Sequence, residues 1–188
     1  VKANPLVEIN YSNLIIKSHL IGLYIANNIN AALTIGKYFG VDDIAIKEGL
    51  ESYIPENNRS QLLSKGTNQI ILDAYNANPS SMKVAIENFL QLDNPNKIMI
   101  LGDMFELGDA STQEHLEVLK LLLDKNEIQC FFIGSAFYAN KTVTTHFHFY
   151  ETFDSFSEYL KEIKIVNSVV LIKGSRGMAL ERTLQFFS

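Results

Sequence analysis

The apolar positions change period twice along the chain. Residues 6–10 and 13–19 are short β-rich runs separated by Tyr11-Ser12, a pattern that predicts a hairpin. Residues 24–38 carry apolar side chains at 25, 29, 32, 33 and 35, which is helical spacing, and Gly40 suits the residue after such a helix. Asp42 or Asp43 can cap a second helix that ends near Tyr53. Residues 54–59 are polar and contain a proline, so they read as a linker. Beyond them strand and helix patterns alternate. Strands are predicted at 70–74, 97–101, 129–134, 146–150 and 169–173, and helices at 81–92, 111–125, 153–163 and 178–187. Ser111 and Glu114 have the spacing of a capping box. Near-continuous apolar strands between helices predict an α/β fold. The expected form is a Rossmann-like, doubly wound, mostly parallel sheet, preceded by a partial α/β segment of a hairpin and two helices.

Length and composition then narrow the function classes. A chain of 188 residues holds one domain, or one domain and a piece of another, and the boundary is expected between 56 and 57. With 47% apolar and 20% charged residues it has an ordinary globular composition. Sixteen basic against 21 acidic residues leave a net charge of −5, which argues against a nucleic-acid partner, because counterion release needs a basic surface. No apolar run reaches the ~18–20 residues of a membrane span, so no membrane partner is expected. Cys130 stands alone, which excludes an internal disulfide and fits a reducing, cytoplasmic setting. Four histidines without a Cys/His cluster argue against a dedicated zinc site, and no metal ligand is assigned.

A doubly wound sheet binds ligands at the carboxyl ends of its strands, and three loops there carry chemistry. The first runs Asp73-Ala74-Tyr75-Asn76-Ala77-Asn78-Pro79-Ser80-Ser81, an acid, a phenol and two amides, with Ser80 or Ser81 able to cap the helix behind it. The second, from Gly102 to Gly108, brackets Asp103 and Glu106; it reads equally as turn chemistry or as a cleft edge for a cationic or hydroxyl-bearing ligand. The third, Lys173-Gly174-Ser175-Arg176-Gly177, sets two cations, two glycines and a hydroxyl before a helix, which suits an anion or carboxylate. Together they suggest a small zwitterionic substrate or a nucleotide, and the residue types go no further. His115 reads as a packing or capping residue, and Cys130 as a small buried hydrophobe. His146 and His148 lie on alternate positions of a strand.

Four strings in order resemble the Mur ligase family. They are Asn58-Arg59-Ser60-Gln61, then residues 73–82 from Asp73 to Met82, then 101–108 from Leu101 to Gly108, then 171–178 from Leu171 to Met178. The resemblance is to the branch that joins D-alanyl-D-alanine to a UDP-N-acetylmuramoyl-tripeptide. Residues 20–32 resemble the end of the family's central ATPase domain. The resemblance implies that ATP phosphorylates the tripeptide carboxylate. The dipeptide amine then attacks the acyl phosphate, and ADP and phosphate leave. Magnesium ions would bridge phosphate oxygens and the carboxylate.

Carried over by position, Arg59 would reach the ATP phosphates as the catalytic linker arginine. Asp73 would hold the nucleotide through its ribose, and Asn28 would contact adenine. Tyr75, Asn76 and Asn78 would line the cleft, and Lys173, Ser175 and Arg176 would bind the incoming dipeptide. The sequence departs from the family at several points. No Gly-x-x-x-x-Gly-Lys-[Ser/Thr] phosphate loop occurs. The central-domain glutamate, magnesium-binding histidine and carbamylated lysine have no counterparts, nor does the UDP-sugar domain. Tyr24 and Ile25 stand where the family commonly has His and Asn. Residues 1–56 are therefore expected to be the C-terminal remnant of the ATPase domain and 57–188 the C-terminal Rossmann-like domain. ATP and Mg2+ would be needed, with most magnesium ligands outside this chain, and the chain would be inactive by itself. A second reading is a stand-alone Rossmann-like module whose residues 173–176 hold a small anion or a nucleotide. A dinucleotide oxidoreductase fits poorly, since no Gly-x-Gly-x-x-Gly follows a predicted strand.

Overall fold

In the computed structural model, which describes residues 1–187, the hairpin of β2 (Leu6–Tyr11) and β3 (Leu14–Ile21) gains a third strand, β1 (Lys2–Ala3), to give the order β1-β2-β3. A 3-10 turn over Leu23–Ile25 leads into α1 (Ala26–Tyr38), and α2 (Asp43–Ser52) follows. Of the two candidate caps for α2, Asp42 is the cap, its carboxylate accepting from the Ile44 N–H. Ile29 and Leu33 of α1 and Ile46 of α2 bury a small core against Val7, Ile9 and Ile16. The opposite side of this helix pair leaves Ile35, Tyr38, Phe39 and Ile44 exposed.

The larger sheet contains β4 (Gln61–Lys65), β5 (Asn68–Asp73), β6 (Lys97–Gly102), β7 (Ile128–Ile133), β8 (Phe147–Tyr150) and β9 (Val169–Lys173). Its order is β4-β5-β9-β6-β7-β8, with β4 antiparallel on one edge and the other five parallel. Between them run α3 (Pro79–Leu90), α4 (Ser111–Leu122), α5 (Ser135–Ala139) and α6 (Phe153–Glu162). Strand residues alternate between two cores. Ile71, Met99, Leu101, Phe132 and Leu171 meet Met82, Ile86, Phe89, Leu119, Leu122 and Phe137 on one face. Ile70, Leu72, Ile100, Phe131 and Ile172 meet Phe156, Leu160 and Leu180 on the other. Helices on both faces of a mostly parallel sheet are the architecture that the sequence pattern predicts.

Four local expectations are corrected. Strand β4 is not anticipated, although the left-handed Gly66 turns it tightly onto β5. The short helix α5 after β7 is not anticipated either. The last segment, Leu180–Phe186, is 3-10 rather than α-helical, and it follows Ala179 in a left-handed conformation (φ 47°). The N-cap of α3 is Asn78, in a reciprocal capping box with Ser81, whereas α4 begins at Ala110 with no side-chain cap.

Strand β9 enters last and lies between β5 and β6, so all five of its residues are buried, Lys173 included. Chain order thereby brings the ends of β5 and β9 side by side, with Asp73 in register with Lys173. The three-stranded unit docks beside this point. Ile21 packs into the core of the large sheet, and the Leu23 N–H donates to Asn88 Oδ1 at 3.1 Å. Gly22 makes the turn possible. Its φ of +87° suits glycine, and a Cβ there would lie 2.5 Å from the Tyr24 ring.

Candidate functional site

The ends of β5 and β9 carry an acid and a base that meet. Lys173 Nζ donates to Asp73 Oδ2 at 2.7 Å and to the Asn76 carbonyl at 3.1 Å, with its side chain only 2% exposed. The Lys173 ammonium therefore pins the turn that carries Tyr75 and Asn76. The other Asp73 oxygen, Oδ1, accepts from the Ser60 N–H at 3.1 Å and from the Ser60 hydroxyl at 3.4 Å. Ser60 Oγ lies 3.1 Å from the Tyr24 hydroxyl. Burial lifts the Tyr24 phenol above the ordinary tyrosine range and the Asp73 charge acts in the same direction, against the bond to Ser60.

Around this pair the side chains divide by exposure. Arg59, Tyr75, Asn76, Asn78 and Arg176 are exposed; Lys173 and Ser175 are buried. The Arg59 guanidinium sits 3.7 Å from the Tyr75 ring centroid and that of Arg176 lies 5.8 Å from it. Two open hollows share this trio's edge. One, of about 810 Å³, is walled by Tyr53, Asn57, Arg59, Tyr75 and Arg176. The other, of about 470 Å³, lies between Tyr75, Asn76, Phe105, Glu106 and Arg176. Two guanidiniums on an aromatic platform present donors suited to phosphate or carboxylate oxygens.

The remaining amides and hydroxyls have internal work. Asn76 Oδ1 accepts from the Ala77 N–H, and Asn78 Oδ1 accepts from the Ser81 N–H and the Ser80 hydroxyl. Ser175 Oγ accepts from the Phe105 N–H at 2.8 Å, joining two loops. Asn28 stands exposed on α1, away from the side chains that wall the two hollows.

The acidic loop after β6 divides between its two sequence readings: Glu106 borders the second hollow, whereas Asp103 turns inward. Asp103 is 3% exposed and accepts from the Ala136 N–H (2.8 Å) and the Phe137 N–H (3.0 Å), so its carboxylate closes the start of α5. Gly134 leaves room for it, since a Cβ there would fall 2.3 Å from the carboxylate carbon. His115 is fully buried. Its Nε2 accepts from the Met104 N–H at 3.1 Å, so that nitrogen carries no proton, and Nδ1–H donates to the Ser111 carbonyl at 2.7 Å. The 3.6 Å approach of Nε2 to Asp103 is accordingly not an ion pair. The packing role expected for His115 holds. Cys130 is buried, and burial pushes its thiol up to about 12. Sequence reasoning missed Tyr24 and Ser60 as members of the Asp73 cluster. The signal available was Asn57-Asn58 before Ser60, residues that tolerate the left-handed backbone all three adopt (φ 59°, 60° and 47°).

Among the described residues, no three His, Cys, Asp or Glu side chains gather to hold a metal ion, and no helix is long and apolar enough to cross a membrane. Residues 58–176 match the family model described as "Mur ligase, glutamate ligase domain". The UDP-N-acetylmuramoyl-tripeptide--D-alanyl-D-alanine ligase of Bacillus subtilis is 32% identical over 176 residues, covering 88% of this chain and 38% of the relative. That of Rickettsia prowazekii is 27% identical over 167 residues, covering 87% of this chain and 37% of the relative. A crystal structure of MurF from Acinetobacter baumannii superposes with a TM-score of 0.76 at 27% identity, covering 96% of this chain and 41% of that one. The chain thus spans under half the length of the relatives it matches.

Proposed function

The chain belongs to the Mur ligase family through its glutamate ligase domain, and from that premise we propose that it is the C-terminal part of an ATP-dependent ligase joining D-alanyl-D-alanine to UDP-N-acetylmuramoyl-tripeptide. Residues 57–188 supply the C-terminal domain and residues 1–56 the end of the ATPase domain that precedes it. The observation that carries the reading is that the matched stretch, 58–176, includes both exposed arginines of one cluster, Arg59 and Arg176 on Tyr75.

The division of exposure supports a division of roles within that cluster. Arg59 faces open solvent and reaches a phosphate without being uncovered first. Arg176 and Tyr75 border both hollows, where the dipeptide carboxylate can meet a guanidinium bidentately. Asp73 presents its carboxylate toward the nucleotide ribose, oriented by Lys173 and Ser60. Lys173 and Ser175 shape the dipeptide side of the cleft from beneath, and Asn76 and Asn78 fix its turn. Asn28 would have to meet adenine from α1, outside the two hollows. ATP, when bound, supplies the phosphoryl group that activates the tripeptide carboxylate. Mg2+, when bound, would draw most of its ligands from outside this chain and neutralise charge on the phosphate oxygens. The setting is cytoplasmic.

The test is ADP release by the full-length protein. It should require both UDP-N-acetylmuramoyl-tripeptide and D-alanyl-D-alanine, and this chain by itself should release none. Release that ignores the dipeptide contradicts the reading. Micromolar binding of D-alanyl-D-alanine to this chain alone would favour a stand-alone binding module.

A further inference from the structure

The segment entering β4 holds three of the seven non-glycine residues with positive φ among the described residues. Asn57, Asn58 and Ser60 all hold left-handed backbone, with φ of 59°, 60° and 47°. Non-glycine residues keep such conformations only where surrounding contacts over-determine them. Here the contacts are explicit. The Asn58 N–H donates to Gln61 Oε1, Gln61 Nε2 donates to the Pro55 carbonyl, and the Tyr75 N–H donates to the Asn58 carbonyl. The remaining tie is Ser60, between Tyr24 of the N-terminal unit and Asp73 of the sheet.

The Ser60 N–H donates to Asp73 Oδ1 at 3.1 Å, and the Ser60 hydroxyl lies between that oxygen, at 3.4 Å, and the Tyr24 hydroxyl, at 3.1 Å. The result is a chain of contacts from the Tyr24 phenol through Ser60 to Asp73, met from the other side by Lys173. The Tyr24 ring is itself fixed, because it packs over Gly22 where a Cβ would lie 2.5 Å away. One oxygen of the carboxylate is therefore held by Lys173 and the other by Ser60, which the neighbouring unit meets through Tyr24.

We propose that Tyr24 is a positioning residue that, through Ser60, sets the orientation of the Asp73 carboxylate and couples it to the seating of the two units. A ligand that draws on Asp73 must compete with Ser60, so its affinity depends on a hydroxyl outside the Rossmann-like domain. The functional half of this inference rests on Asp73 meeting the nucleotide, as proposed above; the structural half does not.

Tyr24→Phe keeps the ring over Gly22 and removes only the hydroxyl. In this chain, amide hydrogen exchange at Ser60 should quicken about two- to tenfold, the range that one neutral hydrogen bond supports. The amides of Ile70, Ile71 and Leu72 in β5 should keep their rates, whereas a general loss of stability would move both sets. In the full-length ligase, the KM for ATP should rise by a similar factor with kcat held within about twofold, and Ser60→Ala should add little to Tyr24→Phe. Unchanged Ser60 exchange in Tyr24→Phe overturns the inference. Altered exchange with an unchanged KM also overturns it, leaving Tyr24 a purely structural contact. If the full-length protein shows no ATP-dependent ligation, the proposed function has failed, and the exchange measurement decides the structural half by itself.

Discussion

Two clusters lie at the same edge of the large sheet and look alike in sequence, yet they are built in opposite senses. Asp103, His115 and Ser175 turn inward: their side chains meet backbone N–H or carbonyl groups of the protein itself. Arg59, Tyr75 and Arg176 turn outward and spend their polarity on open hollows. The Lys173–Asp73 pair sits between them, with its lysine enclosed and its acid at the rim. The lesson is that a charged residue beside a glycine at a strand end can be scaffold or site. Which one depends on whether backbone donors converge on it.

Substitutions can break that comparison in a graded way. Lys173→Met leaves Asp73 without its partner and frees the turn at Asn76. Removing one member of a buried pair costs about 3 kcal/mol, so thermal unfolding of this chain should shift down steeply, and Lys173→Met with Asp73→Asn should recover part of the loss. Asp103→Ala strands two amide N–H groups at the start of α5 and should cost about 2 kcal/mol in urea unfolding. Arg59→Ala and Arg176→Ala, by contrast, should alter stability by less than about 0.5 kcal/mol, as exposed substitutions do. Their effect belongs in the full-length protein, where, on the proposed function, each should lower turnover at least about tenfold through lost charge stabilisation of the phosphoryl or carboxylate group.

The smallest effect serves as a control remote from both clusters. Burial, reinforced by nearby His146, holds the His148 imidazole below its usual range. The folded state thus binds this proton less readily than the unfolded one. Its contribution is complete above pH about 6.5 and is lost as pH falls through the depressed folded value. The melting temperature should decline over that acidic window, and His148→Gln should flatten the decline while leaving ligation at pH 8 unaltered.

Much of this fold is legible locally, because β6, β7 and β9 are apolar runs too dense for anything but a sheet covered on both sides. Strand β4 is not, since an edge strand reading Gln-Leu-Leu-Ser-Lys buries no residue fully. The site is legible in location and less so in role. The strand-end rule finds Asp73, Tyr75, Lys173 and Arg176 together. That Lys173 is enclosed follows from β9 lying between β5 and β6, a matter of strand order that no local pattern encodes. Asp103 reads as a possible cleft acid for the same reason, because the amides that hold it come from residues more than thirty positions away.

The account turns on Arg59 and Asp103 doing different jobs from separate loops, and one paired measurement reaches it. Turnover and melting temperature are recorded for Arg59→Ala and Asp103→Ala in the full-length ligase. The account predicts that Arg59→Ala loses turnover with its melting temperature intact, while Asp103→Ala loses melting temperature first. An Arg59→Ala protein that turns over normally but melts early would contradict it.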